Sequence, residues 1–119
     1  MNCPLEDAEQ HAYIQWLDAH NIKYFAVPNI VKLAGMMKSK IAKIRFWQQR
    51  KKEGIKKGVP DLVVFLPKII LFVEMKRQKG SSTSQEQKDW SIEINKYPYA
   101  KSIICKGADV AIIETKAVL

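Results

Sequence analysis

Two carboxylates and a lysine flank a pair of strand-length apolar runs in the middle of the chain. Residues 62–66 and 69–73 are rich in Val, Ile and Phe and are separated by Pro67-Lys68, a pattern that predicts a β-hairpin. With the turn centred between Pro67 and Lys68, Asp61 lies directly opposite Glu74. Lys76 shares their face because side chains alternate along a strand. The spacing therefore predicts two carboxylates and an ammonium group together at the open end of the hairpin.

Such a cluster suits the hydrolysis of a phosphodiester. Opposed carboxylates bind a hard divalent cation such as Mg²⁺, which keeps several waters, polarises the phosphodiester and lowers the pKa of a bound water. A neighbouring lysine positions or deprotonates that water, or neutralises charge on the phosphate. The alternative is a salt bridge that closes a hairpin, because Asp-(spacer)-Glu-x-Lys is a loose motif. Like charges directly opposed across strands are destabilising, however, and a cation would relieve the repulsion between Asp61 and Glu74.

The charge of the chain predicts a polyanionic partner. Its 119 residues carry 20 Lys and Arg against 12 Asp and Glu, a net charge of +8, for which nucleic acid is the first candidate. Ten of those cations lie between Lys32 and Lys57, where Glu53 is the only acid. Residues 36–52 predict a helix that carries many of them and is held to the domain by Ile41, Ile44 and Trp47. Basic residues interleaved with aromatic ones favour contact with a nucleic-acid backbone and base stacking.

An amphipathic helix is predicted over residues 6–20. Glu9 leans towards its apolar face and Glu6 lies one turn earlier on the same side, so both could approach the hairpin. The alternative is an acidic first turn that only complements the helix macrodipole. The apolar positions of this helix, at three- and four-residue spacing, are Ala8, Ala12, Tyr13, Trp16 and Leu17.

The rest of the chain predicts three further elements and one ambiguous segment. A strand is expected over residues 22–27, a helix with a capping box at Ser84 and Gln87 over about 85–97, and a strand over 100–105 in a parallel crossover. Residues 109–119 allow a helix or a strand. No apolar run approaches the roughly 18 residues needed to span a membrane, and the acidic N-terminus is unlike a signal peptide, so a cytoplasmic location is expected. Cys3 and Cys105 are expected to be reduced thiols.

Pro60-Asp61 followed by Glu74-Met75-Lys76 resembles the PD-(D/E)xK nuclease signature. Four segments in order, FAVPN (25–29), GIKKGVPD (54–61), EMKR (74–77) and SQEQKDW (84–90), resemble the virus-type replication-repair nuclease (VRR-NUC) domain of the stand-alone phage or bacterial type. The resemblance covers about residues 6–106. It implies one α/β domain over residues 1–119, a restriction-endonuclease-like αβββαβ core with a mixed sheet flanked by helices, and a basic helical insert at about 30–57. It also implies that the ambiguous segment 109–119 is a closing helix.

The resemblance also implies the roles of individual residues. Asp61, Glu74 and the carbonyl of Met75 would bind Mg²⁺ or Mn²⁺, and Lys76 would activate water with support from Gln87. A glutamate of the first helix, Glu6 or Glu9, would complete the metal site. The residues expected to contact DNA are Asn29, Lys38, Lys40, Lys43, Arg45, Arg50, Lys51 and Lys57. For Asn29 a turn-forming role is the alternative.

The function indicated is a metal-dependent DNA endonuclease. By the same resemblance it would act as a homodimer on branched or Holliday-junction-like DNA in replication, recombination or repair, and leave a 5′-phosphate and a 3′-hydroxyl. A non-catalytic basic nucleic-acid-binding module explains the net charge equally well, but it does not explain why Asp61, Glu74 and Lys76 meet on one face. A protein-interaction subunit of a phage or replication assembly predicts neither feature.

Overall fold

A computed structural model of the protein describes residues 3–119. These residues form five helices and four strands. The elements are α1 (Glu6–Ala19), β1 (Lys23–Ala26), α2 (Ile30–Gly35), α3 (Lys40–Lys52), β2 (Leu62–Phe65), β3 (Ile70–Lys76), α4 (Gln85–Ile94), β4 (Ala100–Lys106) and α5 (Ala108–Ala117).

The strands form one mixed sheet in the order β1-β2-β3-β4. The first three are antiparallel, and β4 runs parallel to β3 after the crossover through α4. In the hairpin, Leu62 pairs with Val73 and Val64 with Leu71, and one further step in this register places residue 61 opposite residue 74, as predicted. The αβββαβ restriction-endonuclease-like core is therefore confirmed, and the ambiguous C-terminal segment is a helix.

One face of the sheet is covered by α1 and α5. Tyr13 and Leu17 of α1 are fully buried against the inward-facing residues of the strands, and the Tyr13 hydroxyl lies 2.7 Å from Oγ1 of Thr115 in α5. The prediction that Ala8 and Ala12 also face the core was wrong, because both are exposed. The buried stripe of α1 is instead Glu9, Tyr13 and Leu17, at four-residue spacing.

The segment 30–57, here called the basic arm, differs from its prediction. It contains two helices instead of one that begins at Met36, because the Ser39 hydroxyl accepts a hydrogen bond from the Ala42 amide (3.2 Å) and starts α3 at Lys40. The expected apolar stripe was also wrong: Ile41 and Ile44 are 62% and 49% exposed, and Phe46 is the buried residue of α3.

Element ends differ from prediction by one to three residues. Strand β1 is shorter than residues 22–27, and α4 ends at Ile94 instead of 97. Strand β3 runs on through Lys76 because β4 pairs with it as far as Lys106. Cys3 and Cys105 are free thiols, as expected. Within residues 3–119, every helix is too short or too polar to cross a membrane.

Candidate metal centre

Three carboxylates converge at the end of the hairpin. Glu6 comes from the first turn of α1, Asp61 immediately precedes β2, and Glu74 lies in β3. One oxygen from each lies within 4.8 Å of the others. The hairpin register brings Asp61 opposite Glu74, and the packing of α1 on the sheet adds Glu6.

Burial makes this cluster electrostatically costly. Glu74 is only 3% exposed, and its burial together with the neighbouring Asp61 raises the pKa of its carboxyl to about 9. Burial also raises the pKa of Asp61 and that of Glu6, each of which has a carboxylate neighbour in the cluster. A divalent cation would allow all three groups to be ionised together.

The backbone of Met75 holds Asp61 in place. Its amide donates a hydrogen bond to Oδ2 of Asp61 over 2.8 Å. The amide and carbonyl of one residue point to the same side of a strand, so the Met75 carbonyl faces this edge of β3 as well. The next carbonyl, that of Lys76, faces the other way and accepts from the Gly107 amide (3.0 Å).

Lys76 is buried beside the carboxylates and is held by two of its neighbours. Its side chain is 9% exposed, and Nζ lies 3.9 Å from a Glu74 oxygen and donates to Oε1 of Gln87 over 2.9 Å. The same Oε1 accepts from the Ser84 amide (3.0 Å) in the capping box of α4. Gln87 therefore both caps its helix and orients the lysine, so the two interpretations of this residue are compatible.

Glu9 does not join the carboxylate cluster. It is 6% exposed; its Oε1 accepts from the Ala108 amide (3.1 Å) and its Oε2 from Nε2 of Gln78 (2.8 Å). Glu9 thus caps α5, which begins after Gly107, a residue with no side chain that could do so. No local pattern in the sequence distinguishes the two glutamates, because the amide that Glu9 caps lies 99 residues along the chain.

The cluster lies in a cleft of about 910 Å³ between the basic arm and the start of α4. Asn29 lines this cleft and also caps α2, since its Oδ1 accepts from the Lys32 amide (2.9 Å). Lys57, one of the residues expected to contact DNA, also lines it. Lys32 and Lys56, which sequence reasoning did not single out, line it too.

The other basic residues expected to contact DNA lie away from the cleft. The side chains of Lys38, Lys40, Lys43, Arg45 and Lys51 are exposed.

Arg50 has structural partners instead. It pairs with Glu53 (3.0 Å) and lies over the Phe46 ring, 5.0 Å from its centroid. Lys57 similarly lies over Trp47, with Nζ 4.4 Å from the ring centroid. Phe46 is buried and therefore not open to base stacking, and Lys57 covers one face of the Trp47 ring.

Comparison with known proteins identifies the family. A family model described as the VRR-NUC domain matches residues 5–109. The chain belongs to the VRR-NUC family. The VRR-NUC family is a nuclease family, which agrees with the acidic cluster beside Lys76.

A solved structure named "VRR_NUC domain protein" is similar over 97% of this chain and 88% of its own, with a TM-score of 0.73 and 20% sequence identity. At that identity the likeness shows the fold alone. No curated protein sequence matches this VRR-NUC chain significantly.

Proposed function

We propose that this VRR-NUC protein is a metal-dependent DNA endonuclease that hydrolyses phosphodiester bonds. The convergence of Glu6, Asp61 and Glu74 beside the buried Lys76 is the observation that carries the proposal. A structural salt bridge would need one carboxylate for the lysine, and this site has three carboxylates around it. The surplus negative charge in a buried place is what a cation site requires.

The donor set fits Mg²⁺ or Mn²⁺. All three side-chain donors are hard carboxylate oxygens, and the Met75 carbonyl faces the same edge of β3. When bound, such a cation would polarise the scissile phosphodiester and lower the pKa of a water. Glu6 is our choice for the ligand from the first helix, because Glu9 is committed to α5.

Lys76 would act on the attacking water and on the phosphate. Gln87 and Glu74 hold its ammonium group from two sides, so it is oriented before substrate arrives. From that position it would hold the water in line or stabilise negative charge that develops on the phosphate oxygens. The products would be a 5′-phosphate and a 3′-hydroxyl.

The proposed substrate is branched or Holliday-junction-like DNA, cut by a homodimer. A two-fold dimer presents two active sites to two strands. An exposed apolar patch on β1 and β2 supports such pairing: Phe25 and Phe65 are 51% and 45% exposed, with ring centroids 6.0 Å apart. Light scattering of the purified protein measures the oligomeric state directly, and a monomer at working concentrations would exclude the dimer.

The test compares cleavage of a labelled four-way junction with that of a matched linear duplex in Mg²⁺, Mn²⁺ or EDTA. Lys76→Ala should reduce cleavage by about 100- to 1,000-fold, the usual cost of removing one transition-state-stabilising group. The matched control is Lys101→Ala, a partly exposed β4 lysine near Glu114 (4.0 Å) and outside the cleft lining. DNA binding with no cleavage in either metal would instead indicate a non-catalytic binding module.

A further inference from the structure

The lining of the cleft above the carboxylate cluster includes a cationic part and an apolar part. The cationic part comes from Lys32, Lys56 and Lys57. The apolar part, here called the apolar wall, consists of Val27, Pro28, Ile30, Val31, Ile55 and Val59. Val31 is 54% exposed, so part of this wall is open to a ligand.

A ligand that complements these two parts of the lining must offer both anionic and apolar groups. A paired strand offers phosphates and sugars on its outside, because its bases are stacked inside the duplex. If a paired strand lay in the cleft, the apolar wall would face its charged phosphates. It would remove water from them and offer no hydrogen bond in exchange. An unpaired strand carries the same phosphates but also presents base faces, which pack on apolar and aromatic side chains.

The depth of the site favours the same ligand. Glu74 and Lys76 are 3% and 7% exposed at the floor of the cleft. The walls around them come from the basic arm and from the start of α4, the latter with Ser84, Glu86 and Trp90. A flexible single strand can enter between these walls, whereas a duplex is a stiff, wide body.

We propose that the cleft binds an unpaired segment of the DNA strand, with bases on the apolar wall and phosphates directed to the lysines and the carboxylate cluster. This inference rests on the proposed function, because it assigns the substrate of the same site. In branched DNA that contains unpaired nucleotides at or near the branch, those nucleotides would enter the cleft.

Binding measurements with three probes test the base contacts. The probes are a labelled oligothymidylate, an abasic oligonucleotide of the same length, and a hairpin duplex with the same number of phosphates, each with Ca²⁺ in place of Mg²⁺. We expect the oligothymidylate to bind about tenfold more tightly than the abasic strand, as stacking of even one base would give. Equal binding of the abasic strand, or tighter binding of the duplex, would overturn the proposal.

Two variants of Val31 locate the effect. Val31→Ser should weaken oligothymidylate binding severalfold, and Val31→Trp should strengthen it by adding a stacking surface, while neither changes binding of the abasic strand. The matched control is Ile92→Ser, a 63% exposed apolar position on α4 outside the cleft lining. Because Val31 is exposed, both variants should fold, which thermal unfolding checks. If both bind like the unmodified protein, the apolar wall is not the base-binding surface.

Cleavage assays separate this proposal from the nuclease itself. If the protein prefers the unpaired strand but cleaves nothing in Mg²⁺ or Mn²⁺, the proposed nuclease activity is wrong and the proposed ligand is supported. If the protein cleaves in a metal-dependent way but binds the abasic strand as tightly as the oligothymidylate, the nuclease activity is supported and the proposed base contacts are wrong.

Discussion

The acidic cluster and the basic arm differ in how many elements of the fold pack against them. Glu74 and Lys76 lie in a central strand, with β2 on one side, β4 on the other and α1 packed over it. In the arm, Ala34 and Phe46 are the buried residues, and the backbones of α2 and α3 approach each other but, within residues 3–119, no other helix or strand.

This difference matches two different tasks. Hydrolysis needs groups held within a fraction of an ångström, so its residues belong on rigid elements with partners on every side. Binding to a phosphate backbone is a long-range and sequence-independent attraction that tolerates mobile lysines. The comparison predicts that substitutions in the cluster change chemistry, whereas those in the arm change affinity.

The largest expected effects come from substituting the two glutamates of α1, one of which should affect cleavage and the other stability. Glu6→Ala should lower cleavage by about 100-fold or more and weaken Mn²⁺ binding in calorimetry, because it removes a ligand. It should not lower the melting temperature of the metal-free protein, since burial already disfavours the Glu6 charge.

Glu9→Ala should do the opposite. It leaves the Ala108 amide and the Gln78 amide group without their acceptor, which should reduce the free energy of unfolding by about 1–3 kcal/mol. Metal binding and cleavage below the melting temperature should remain. If Glu9→Ala loses the metal and Glu6→Ala keeps it, the assignment of the two glutamates is reversed.

Two glycines, one near the end of the basic arm and one just after it, test how closely the chain there must approach α4. Gly54 and Gly58 both have left-handed φ values, +83° and +82°, so Ala at either costs about 1–2 kcal/mol. A Cβ at Gly58 would also lie 2.6 Å from Cβ of Glu86 and 2.8 Å from the Gln87 nitrogen, whereas one at Gly54 meets nothing.

Gly58→Ala should therefore destabilise the protein by about 1–3 kcal/mol more than Gly54→Ala in chemical denaturation. It should also reduce cleavage of a saturating substrate by the folded protein, because it displaces the residue that orients Lys76. Equal effects of the two substitutions would mean that the arm and α4 separate easily.

The stability of the metal-free protein should fall as pH rises. The pKa of Glu74 is raised from 4.5 to about 9 in the folded state, so the folded protein holds a proton that the unfolded chain releases. Between these pH values the free energy of unfolding should decline by at most about 1.4 kcal/mol per pH unit. Glu74→Gln should flatten this decline in thermal unfolding, and added Mg²⁺ or Mn²⁺ should stabilise the native protein more at high pH than at low pH. A profile that Glu74→Gln leaves unchanged would assign the decline to other groups.

Removal of positive charge from the basic arm should have the smallest effect, a modest loss of DNA affinity that does not depend on DNA sequence. Lys40, Lys43 and Lys51 changed together to Gln should weaken duplex binding severalfold. The slope of log K against log salt should become shallower by about 0.9 for each phosphate that the variant no longer neutralises. The control removes the same charge elsewhere, at the exposed Lys79, Lys88 and Lys116. If both triple variants bind the duplex equally weakly, affinity depends only on net charge and the basic arm is not a specific contact surface.

The sequence by itself determined the elements that rest on local patterns. Apolar alternation and the Pro67-Lys68 turn set the hairpin register, and with it the meeting of Asp61, Glu74 and Lys76, because a side-chain period of two leaves few ways to bury that hairpin. The Ser84 and Gln87 capping box and the parallel crossover likewise followed from short-range rules.

Tertiary structure alone decided which glutamate of α1 enters the site and which face of α3 is buried. Glu6 and Glu9 lie within one turn of the same helix, and their roles separate only because the Ala108 amide of α5, 99 residues along the chain, meets Glu9. Ile41 and Ile44 are apolar but exposed, since α3 packs on no strand within the part of the chain that the structure describes. Periodicity shows that a face is apolar, and only packing across the chain decides what, if anything, covers it.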